Sequence, residues 1–295
     1  MNILVTGATG FIGRHLVSAL LKTYSVRCLV RKTSDITPLK DLLVDIVYGD
    51  LLVKDSLSPA LDGIDLVYHL AGEVYSRKKS DYYKGNVLAT QNFLEACKEK
   101  GTKKIIFLST TAVYKLPGTR TLLTEESECG PLSIYGKTKL AAEELIKKSN
   151  IPWVIIRSTV VYGPHQSSAV NKFFIQALVM KKIYVIGDGD NLRSLCFIQN
   201  LVDGLLLLAN DRDNISRKTF IFSDISPFTL KEIIAAVSVV TKQEIEVIHL
   251  PAILGTISGK INSLMGYLFN LYFVELFSIR MMQENMGYDI SKAST

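Results

Sequence analysis

The sequence has little of what crosslinks or anchors a chain. Its four cysteines, Cys28, Cys97, Cys129 and Cys196, have neither metal-ligand nor redox-motif spacing, and we interpret them as reduced thiols of a cytoplasmic protein. The four histidines form no ligand spacing either, so we expect no metal. No apolar run reaches the roughly 18 residues of a transmembrane helix, and the N-terminus lacks the pattern of a signal peptide.

What the chain does have is the composition of an ordinary globular protein. Of its 295 residues, 48% are hydrophobic and 21% are charged, which excludes a disulfide miniprotein, a disordered tail or a coiled coil. The net charge of +6 would suit nucleic acid, a membrane surface or phosphorylated metabolites, so it decides nothing alone. Because no nucleic-acid-binding motif accompanies that charge, we expect no nucleic-acid partner.

Short apolar runs alternate with helical patterns through the first half of the chain. The predicted strands are Asn2–Thr6, Ser25–Val30, Asp45–Tyr48, Asp65–Leu70, Lys104–Ser109 and Trp153–Arg157, and the predicted helices are Phe11–Lys22, Asp81–Lys100 and Ile134–Lys148. This alternation predicts an α/β fold, a doubly wound parallel sheet of the Rossmann type. After Pro164 the rhythm loosens, and we expect a smaller, mostly helical C-terminal substrate lobe. The predicted domains are 1–164 and 165–295, with segments within 193–223 as candidates to return to the main sheet.

A glycine-rich turn follows the first predicted strand and opens the first predicted helix. Gly7 permits the tight turn, Gly10 lets backbone amides approach a pyrophosphate, and Gly13 allows close packing of helix on strand. Since the motif has the strand, turn and helix that it requires, it predicts a dinucleotide site rather than a helix start that happens to be rich in glycine. The residues of this turn predicted to bind the cofactor also include Thr9, Phe11 and Ile12.

The end of the second predicted strand bears on the choice of cofactor. An acidic residue is expected there to bind the ribose 2′-hydroxyl of NAD, but this strand is followed by Arg31 and Lys32. Cations at this place suit a 2′-phosphate, so NADP is favoured over NAD; the alternative is that both are solvated loop charges.

Two residues on one predicted helix suggest proton-transfer chemistry. Tyr135 and Lys139 are four residues apart, which places them on the same face. A tyrosine normally titrates near pH 10, and a nearby ammonium lowers that pKa, so Tyr135 could take a proton from a substrate hydroxyl. Upstream, a predicted strand runs into Ser109 and Thr110, where a hydroxyl could hold the substrate oxygen; a strand-ending turn would also favour these residues.

Together these motifs resemble the extended short-chain dehydrogenase/reductase family, in its group of NAD-dependent epimerases and dehydratases. The opening motif is Thr6–Gly13, and the catalytic helix is Tyr135–Lys139. The resemblance implies that Tyr135 is the acid or base, that Lys139 binds the nicotinamide ribose, and that Thr110 orients the substrate, with Ser109 as the neighbour it could be confused with. It also implies a homodimer. The further cofactor-binding positions implied by the resemblance are Asp50, Leu51, Leu70, Ala71, Gly72, Asn86, Ser109 and Val160.

The substrate is predicted less directly. Sugar dehydratases of this family carry an Asp-Glu pair directly after the catalytic Thr, and here Thr111 and Ala112 stand in its place, which disfavours a dehydratase. Arg193 matches the Arg that grips the diphosphate of a nucleotide sugar, as a guanidinium can through its fork of donors. Asn171 resembles an Asn lining the same pocket.

Three functions remain open at this point. The first is a nucleotide-sugar epimerase, which withdraws a hydride and returns it to the other face of a keto-sugar intermediate. The second is an NADPH-dependent reductase or dehydrogenase of the 3β-hydroxysteroid or dihydroflavonol type. The third is a catalytically silent, dinucleotide-binding regulator. Arg193 favours the first and Arg31 with Lys32 favours the second.

The segment 253–282 is unusually apolar. We interpret it as helices of the substrate lobe packed on the core or in a dimer. The alternative, a peripheral membrane surface serving a lipid-linked substrate, stays open, although polar residues interrupt the run before it could span a bilayer.

Overall fold

A computed structural model describes residues 1–166, 175, 178–210, 215–251 and 284–294 of the protein. Its centre is a seven-stranded sheet in the order β11-β6-β5-β4-β1-β2-β3, in which every neighbouring pair is parallel. The strands are β1 Asn2–Thr6, β2 Ser25–Val30, β3 Asp45–Tyr48, β4 Leu66–His69, β5 Lys104–Thr110, β6 Trp153–Ser158 and β11 Lys218–Phe222. The first six have the strand order of a doubly wound dinucleotide-binding fold, as the alternation of the sequence predicts.

Helices cover both faces of this sheet. They are α1 Phe11–Leu20, α2 Ser58–Leu61, α3 Lys79–Tyr82, α4 Ala89–Glu99, α5 Ile134–Lys148 and α6 Ile198–Asn210, followed outside the sheet by α7 Leu230–Thr241 and α8 Ser291–Ser294. Alternate residues of each strand point to opposite faces, so Ile3 and Val5 pack in one core with α1 and α6, while Leu4 packs in another with α2, α4 and α5. Burial on both faces explains why the strands are almost wholly apolar.

The predicted helix Asp81–Lys100 is not a single α-helix. A π-helical stretch, Tyr83–Leu88, separates α3 from α4. Such stretches are rare and occur frequently at functional sites.

The second half contains short strands that the sequence analysis did not predict. They are β7 Val160–Tyr162, β8 Lys182–Ile186, β9 Leu192–Arg193, β10 Leu195–Phe197, β12 Phe228–Thr229 and β13 Glu246–Leu250. They form three two-stranded sheets, β10-β7, β12-β9 and β13-β8. Strand β11 instead joins the main sheet beside β6, so this part of the chain does return to it; the division at residue 164 stays a prediction.

Within the described residues, no helix is both long and apolar enough to cross a membrane. The apolar segment 253–282 lies outside the described residues, so both interpretations of it remain predictions.

Candidate active site

The glycine-rich turn forms a cradle built from backbone. Gly7 has φ +72°, and a Cβ there would lie 2.8 Å from the amide nitrogen of Ala71, at the end of the neighbouring strand. A Cβ on Gly13 would lie 2.1 Å from the carbonyl oxygen of Gly7. Helix α1 then begins at Phe11 with no side-chain cap on its N-terminus. The amides of such a helix start favour an anion, and a pyrophosphate fits here.

The predicted residues around the adenosine end of this cradle lie on the loops that follow β2 and β3. Arg31 and Lys32 are exposed directly after β2, and Arg31 is close enough to Glu73 to act on it electrostatically. Asp50 accepts a hydrogen bond from the amide of Leu52, and the Leu51 carbonyl accepts one from Asn92. Whether these residues contact a cofactor stays a prediction.

A buried hydrogen-bond chain fixes the end of β4. His69 is fully buried, with Nδ1 2.8 Å from the Thr6 hydroxyl and Nε2 3.1 Å from the Thr90 hydroxyl. The Thr6 hydroxyl also accepts from the amide of Ala71, which holds Leu70 and Ala71 against the cradle. Burial, with a contribution from the Lys139 charge, lowers the pKa of His69 to about 3, so the ring is neutral at physiological pH.

Asn86 lies in the π-helical stretch and connects the β4 loop to the helix α5. Its amide accepts from the backbone of Glu73 at 2.8 Å and donates to the Glu73 carbonyl and to the Thr138 hydroxyl, each at 3.0 Å. Its Oδ1 would lie 2.7 Å from a Cβ on Gly72, so that position must stay open. Asn86 therefore positions the site, and its predicted contact with the cofactor remains a prediction.

The predicted catalytic residues meet where β5 ends. The Tyr135 phenol lies beside the Thr110 hydroxyl; burial raises the pKa of Tyr135 to about 12, and the interaction with that hydroxyl lowers it. Lys139 donates to the Leu108 carbonyl at 2.7 Å and lies 4.0 Å from the centre of the Phe107 ring. Burial lowers the pKa of Lys139 to about 7, partly opposed by the carboxylate of Glu143.

Sequence reasoning missed the buried ion pair beside these residues. The Ser109 hydroxyl donates to Glu143 at 2.5 Å, and Arg157 binds the same carboxylate with two N–H groups at 3.0 and 2.7 Å. Glu143 is fully buried and Arg157 is 3% exposed. Two signals could have found the pair: Glu143 continues the four-residue spacing of Tyr135 and Lys139, and Arg157 is a charge in an otherwise apolar strand.

Of the predicted substrate-binding residues Arg193 and Asn171, only Arg193 lies within the described residues. Arg193 lies on β9, and its guanidinium donates to the carbonyls of Leu192 and Glu284. Tyr288, which the sequence analysis also missed, lies close enough to act electrostatically on Arg193, and its phenol lies near Thr111, next to Thr110. Arg193 is thus linked to the β5 end through one buried tyrosine. Asn171 lies outside the described residues.

Val160, the remaining predicted cofactor contact, is half-buried at the start of β7 and pairs with Leu195 of β10. This pair leads from the main sheet toward Arg193. The predicted contact itself remains a prediction.

The residues present fit a nicotinamide dinucleotide. A side chain at Gly7 or Gly13 would clash with the backbone that shapes the cradle, and Gly72 keeps the space beside Lys139 open, with only 3.8 Å between a Cβ there and the lysine nitrogen. The cradle lies between β1 and β4, where the strand order reverses and folds of this kind bind their ligands.

Comparisons with known proteins find the same fold in an epimerase. A crystal structure of UDP-glucuronic acid 4-epimerase from Bacillus cereus in complex with NAD superposes with a TM-score of 0.79 at 29% identity, covering 100% of this chain and 91% of that chain. The uncharacterized UDP-glucose epimerase YtcB of Bacillus subtilis is 35% identical over 228 residues, which are 70% of this chain and 71% of that protein.

A human relative has a different activity. Sterol-4-alpha-carboxylate 3-dehydrogenase, decarboxylating, from Homo sapiens is 31% identical over 215 residues, which are 70% of this chain and 56% of that protein. Residues 3–221 match one family as a whole, so the fold, the cradle and the sequence together show that the chain belongs to the NAD dependent epimerase/dehydratase family.

Proposed function

We propose that this protein is a nucleotide-sugar epimerase that uses a nicotinamide dinucleotide. The observation that carries the proposal is the Tyr135 phenol beside the Thr110 hydroxyl, with Lys139 one turn along the same helix, at the edge of the dinucleotide cradle. The similar epimerase structure and the Bacillus relative support a sugar nucleotide as substrate.

In this proposal Tyr135 is the acid and base. Its Oη takes the proton of the sugar hydroxyl and returns a proton after inversion, while the Thr110 hydroxyl fixes the position of both oxygens. A bound dinucleotide would supply the hydride acceptor and donor. With a pKa raised to about 12, the phenol keeps its proton at neutral pH, so it needs positive charge nearby. In this proposal Lys139 supplies that charge in its protonated form.

The proposed substrate site lies on the side of Arg193. An open cavity of about 450 Å³ beside β9 is lined by Arg120, Asn191 and Asn285 and by the carboxylates of Asp188 and Asp190. Asn285 accepts from the amide of Leu192, which ties the cavity wall to the strand that carries Arg193. We propose that the guanidinium binds the diphosphate and that the nucleoside lies in the cavity.

The choice between NAD and NADP is open to a direct test. Arg31 and Lys32 favour a 2′-phosphate, whereas the similar epimerase structure contains NAD. Arg31→Ala should weaken NADP binding more than NAD binding if the sequence preference for NADP is right. Equal weakening, or none, would leave NAD as the better assignment. The homodimer and the cytoplasmic location also stay predictions.

The proposed function is tested by denaturing the purified protein, identifying any released dinucleotide by mass, and incubating the native protein with UDP-sugars. An epimerase gives the C4 epimer of its substrate with no net change in dinucleotide. The absence of epimer from every UDP-sugar, together with net oxidation of NADPH on a carbonyl compound, would overturn the proposal.

That second outcome would support the alternative, a reductase or dehydrogenase. The specific observations that favour it are the cations after β2 and the relationship to the human sterol dehydrogenase. A silent regulator is disfavoured because Thr110, Tyr135 and Lys139 are brought together in a geometry suited to catalysis.

A further inference from the structure

Three consecutive residues at the end of β5 each bind a different side chain of α5. The Leu108 carbonyl accepts from Lys139, the Ser109 hydroxyl donates to Glu143, and the Thr110 hydroxyl lies beside the Tyr135 phenol. The three helix residues are spaced by four and share one face, so they span roughly 12 Å of helix length. Tyr135 lies at one end of this ladder of contacts along the helix, and the buried carboxylate of Glu143 lies at the other.

Two contacts far apart along the helix bear on its orientation against the strand. Near its N-terminus a Cβ on Gly136 would lie 2.3 Å from the Ala112 carbonyl, so α5 touches the backbone just after Thr110. Two turns later Glu143 receives Ser109 and the two N–H groups of Arg157, which is the register partner of Ser109 on β6. A single contact would leave the helix able to pivot, whereas two contacts fix both its position and its rotation.

Arg157 is itself fixed from the other side. Its guanidinium lies 4.7 Å from the centre of the Tyr114 ring and donates to the Glu125 carbonyl at 3.3 Å. Strands β5 and β6 and the loop that carries Glu125 therefore converge on one carboxylate of α5. Such a buried pair is weak evidence for stability, because desolvation offsets much of its attraction, but it can specify one arrangement of the elements it joins.

We propose that the Glu143–Arg157 pair, through Ser109, sets the register of α5 on β5 and thereby positions Tyr135 on Thr110. The pair acts through other residues and touches no substrate, so both are positioning residues. The inference rests on the proposed function only where it concerns turnover; the placement of the phenol can be measured without a substrate.

The test replaces the pair with apolar residues in Glu143→Leu/Arg157→Met. Replacing both partners avoids leaving one buried charge alone, so the variant is expected to fold with a Tm close to that of the wild type. If the pair positions the helix, the crystal structure of the variant shows the phenol displaced from Thr110. We then expect kcat to fall by roughly 100-fold, as a misplacement of about 1 Å can cause, with KM and dinucleotide affinity little changed.

A matched control replaces the exposed pair Lys100–Asp62, at the C-terminal ends of α4 and α2, in Lys100→Met/Asp62→Leu. It should leave the phenol and kcat unchanged. A well-folded Glu143→Leu/Arg157→Met variant whose phenol still lies beside Thr110, with kcat intact, would overturn the inference.

Ser109→Ala is the second variant, for the case in which the double variant does not fold. It removes only the bond between strand and carboxylate, so we expect a smaller loss of kcat at constant KM; an unchanged kcat and an unmoved phenol would count against the pair. If the wild-type protein turns over no nucleotide sugar, the proposed function fails, and the crystallographic position of the phenol still decides this inference.

Discussion

The two halves of the site are built in different ways. The dinucleotide cradle is made of backbone and of the absence of side chains at Gly7, Gly13 and Gly72. The catalytic half is made of side chains, a ladder of hydroxyl, phenol, ammonium and carboxylate groups between β5 and α5. The cradle requires positions without side chains and the catalytic half requires particular functional groups, so substitutions should affect the two differently. Each of the following experiments tests that difference.

The largest effect is expected from Tyr135→Phe, which removes one oxygen and leaves the ring. Because general acid–base catalysis contributes about 10²–10⁴-fold, we expect kcat to fall by that factor. Dinucleotide affinity, measured by fluorescence titration, should stay close to the wild-type value. The exposed Tyr48→Phe is the control. Full activity of Tyr135→Phe would show that the phenol does not transfer the proton.

Gly13→Ala should disrupt the dinucleotide cradle, because there is no space for the added methyl group. The new methyl group would lie 2.1 Å from the Gly7 carbonyl, so the turn or the helix must move. We expect a loss of about 1–3 kcal/mol in the free energy of unfolding, as in other overpacked sites, and weakened dinucleotide binding. Denaturant titration checks this, with Ser18→Ala on the exposed face of α1 as the control. Wild-type stability and affinity would contradict the packing argument.

Thr110→Val tests a single contact of the ladder, and we expect a smaller loss of kcat than for Tyr135→Phe. It keeps the shape of the side chain but removes the hydroxyl that lies beside Tyr135. A hydrogen bond to a group that carries charge is worth about 1.5–3 kcal/mol, which predicts a roughly 10–100-fold loss of kcat. Thr110→Ser retains the hydroxyl and should recover most of the activity. Equal rates for the two variants would remove Thr110 from the proposed mechanism.

The smallest expected effect is a pH dependence of stability. It arises from an ionisable side chain of the ladder, whereas the backbone cradle contains no such group. Burial lowers the pKa of Lys139 from its ordinary 10.5 to about 7. Between these values the unfolded protein holds a proton that the folded protein has lost, so this group destabilises the fold near neutral pH, and stability should rise with pH across that range. The free energy of unfolding of the dinucleotide-free wild type should therefore increase relative to Lys139→Met from pH about 7 to about 10.

The exposed Lys137→Met, on the same helix, controls for a change of net charge and should follow the wild type. A difference between wild type and Lys139→Met that does not change with pH would mean that Lys139 keeps its proton in the folded protein.

The sequence predicted the core of the fold well because the relevant signals are local. Strands β1, β2 and β3 and helix α5 begin and end at the predicted residues. The Ser133 hydroxyl caps α5, and serine is a favoured residue directly before a helix. The Gly-rich turn was equally readable, since its three glycines lie within seven residues. The π-helical stretch around Asn86 was not, because nothing in its composition distinguishes it from the α-helix on either side.

The short strands of the second half were missed for a related reason. In β8, buried Ile183 and Val185 alternate with exposed Lys182 and Tyr184 over only five residues. The strand is completed by its pairing with β13, which lies far along the chain.

By itself the sequence determined the parallel sheet, the backbone cradle and the common face of Tyr135 and Lys139. Each of these follows from residues close together in the chain, whose spacing fixes their geometry once a strand or helix forms. Only the tertiary structure decided that Glu143 meets Arg157 and that Tyr288 reaches Thr111. Those residues lie on different elements, and their contact depends on how strands, helices and the C-terminal segment pack, which no local pattern encodes.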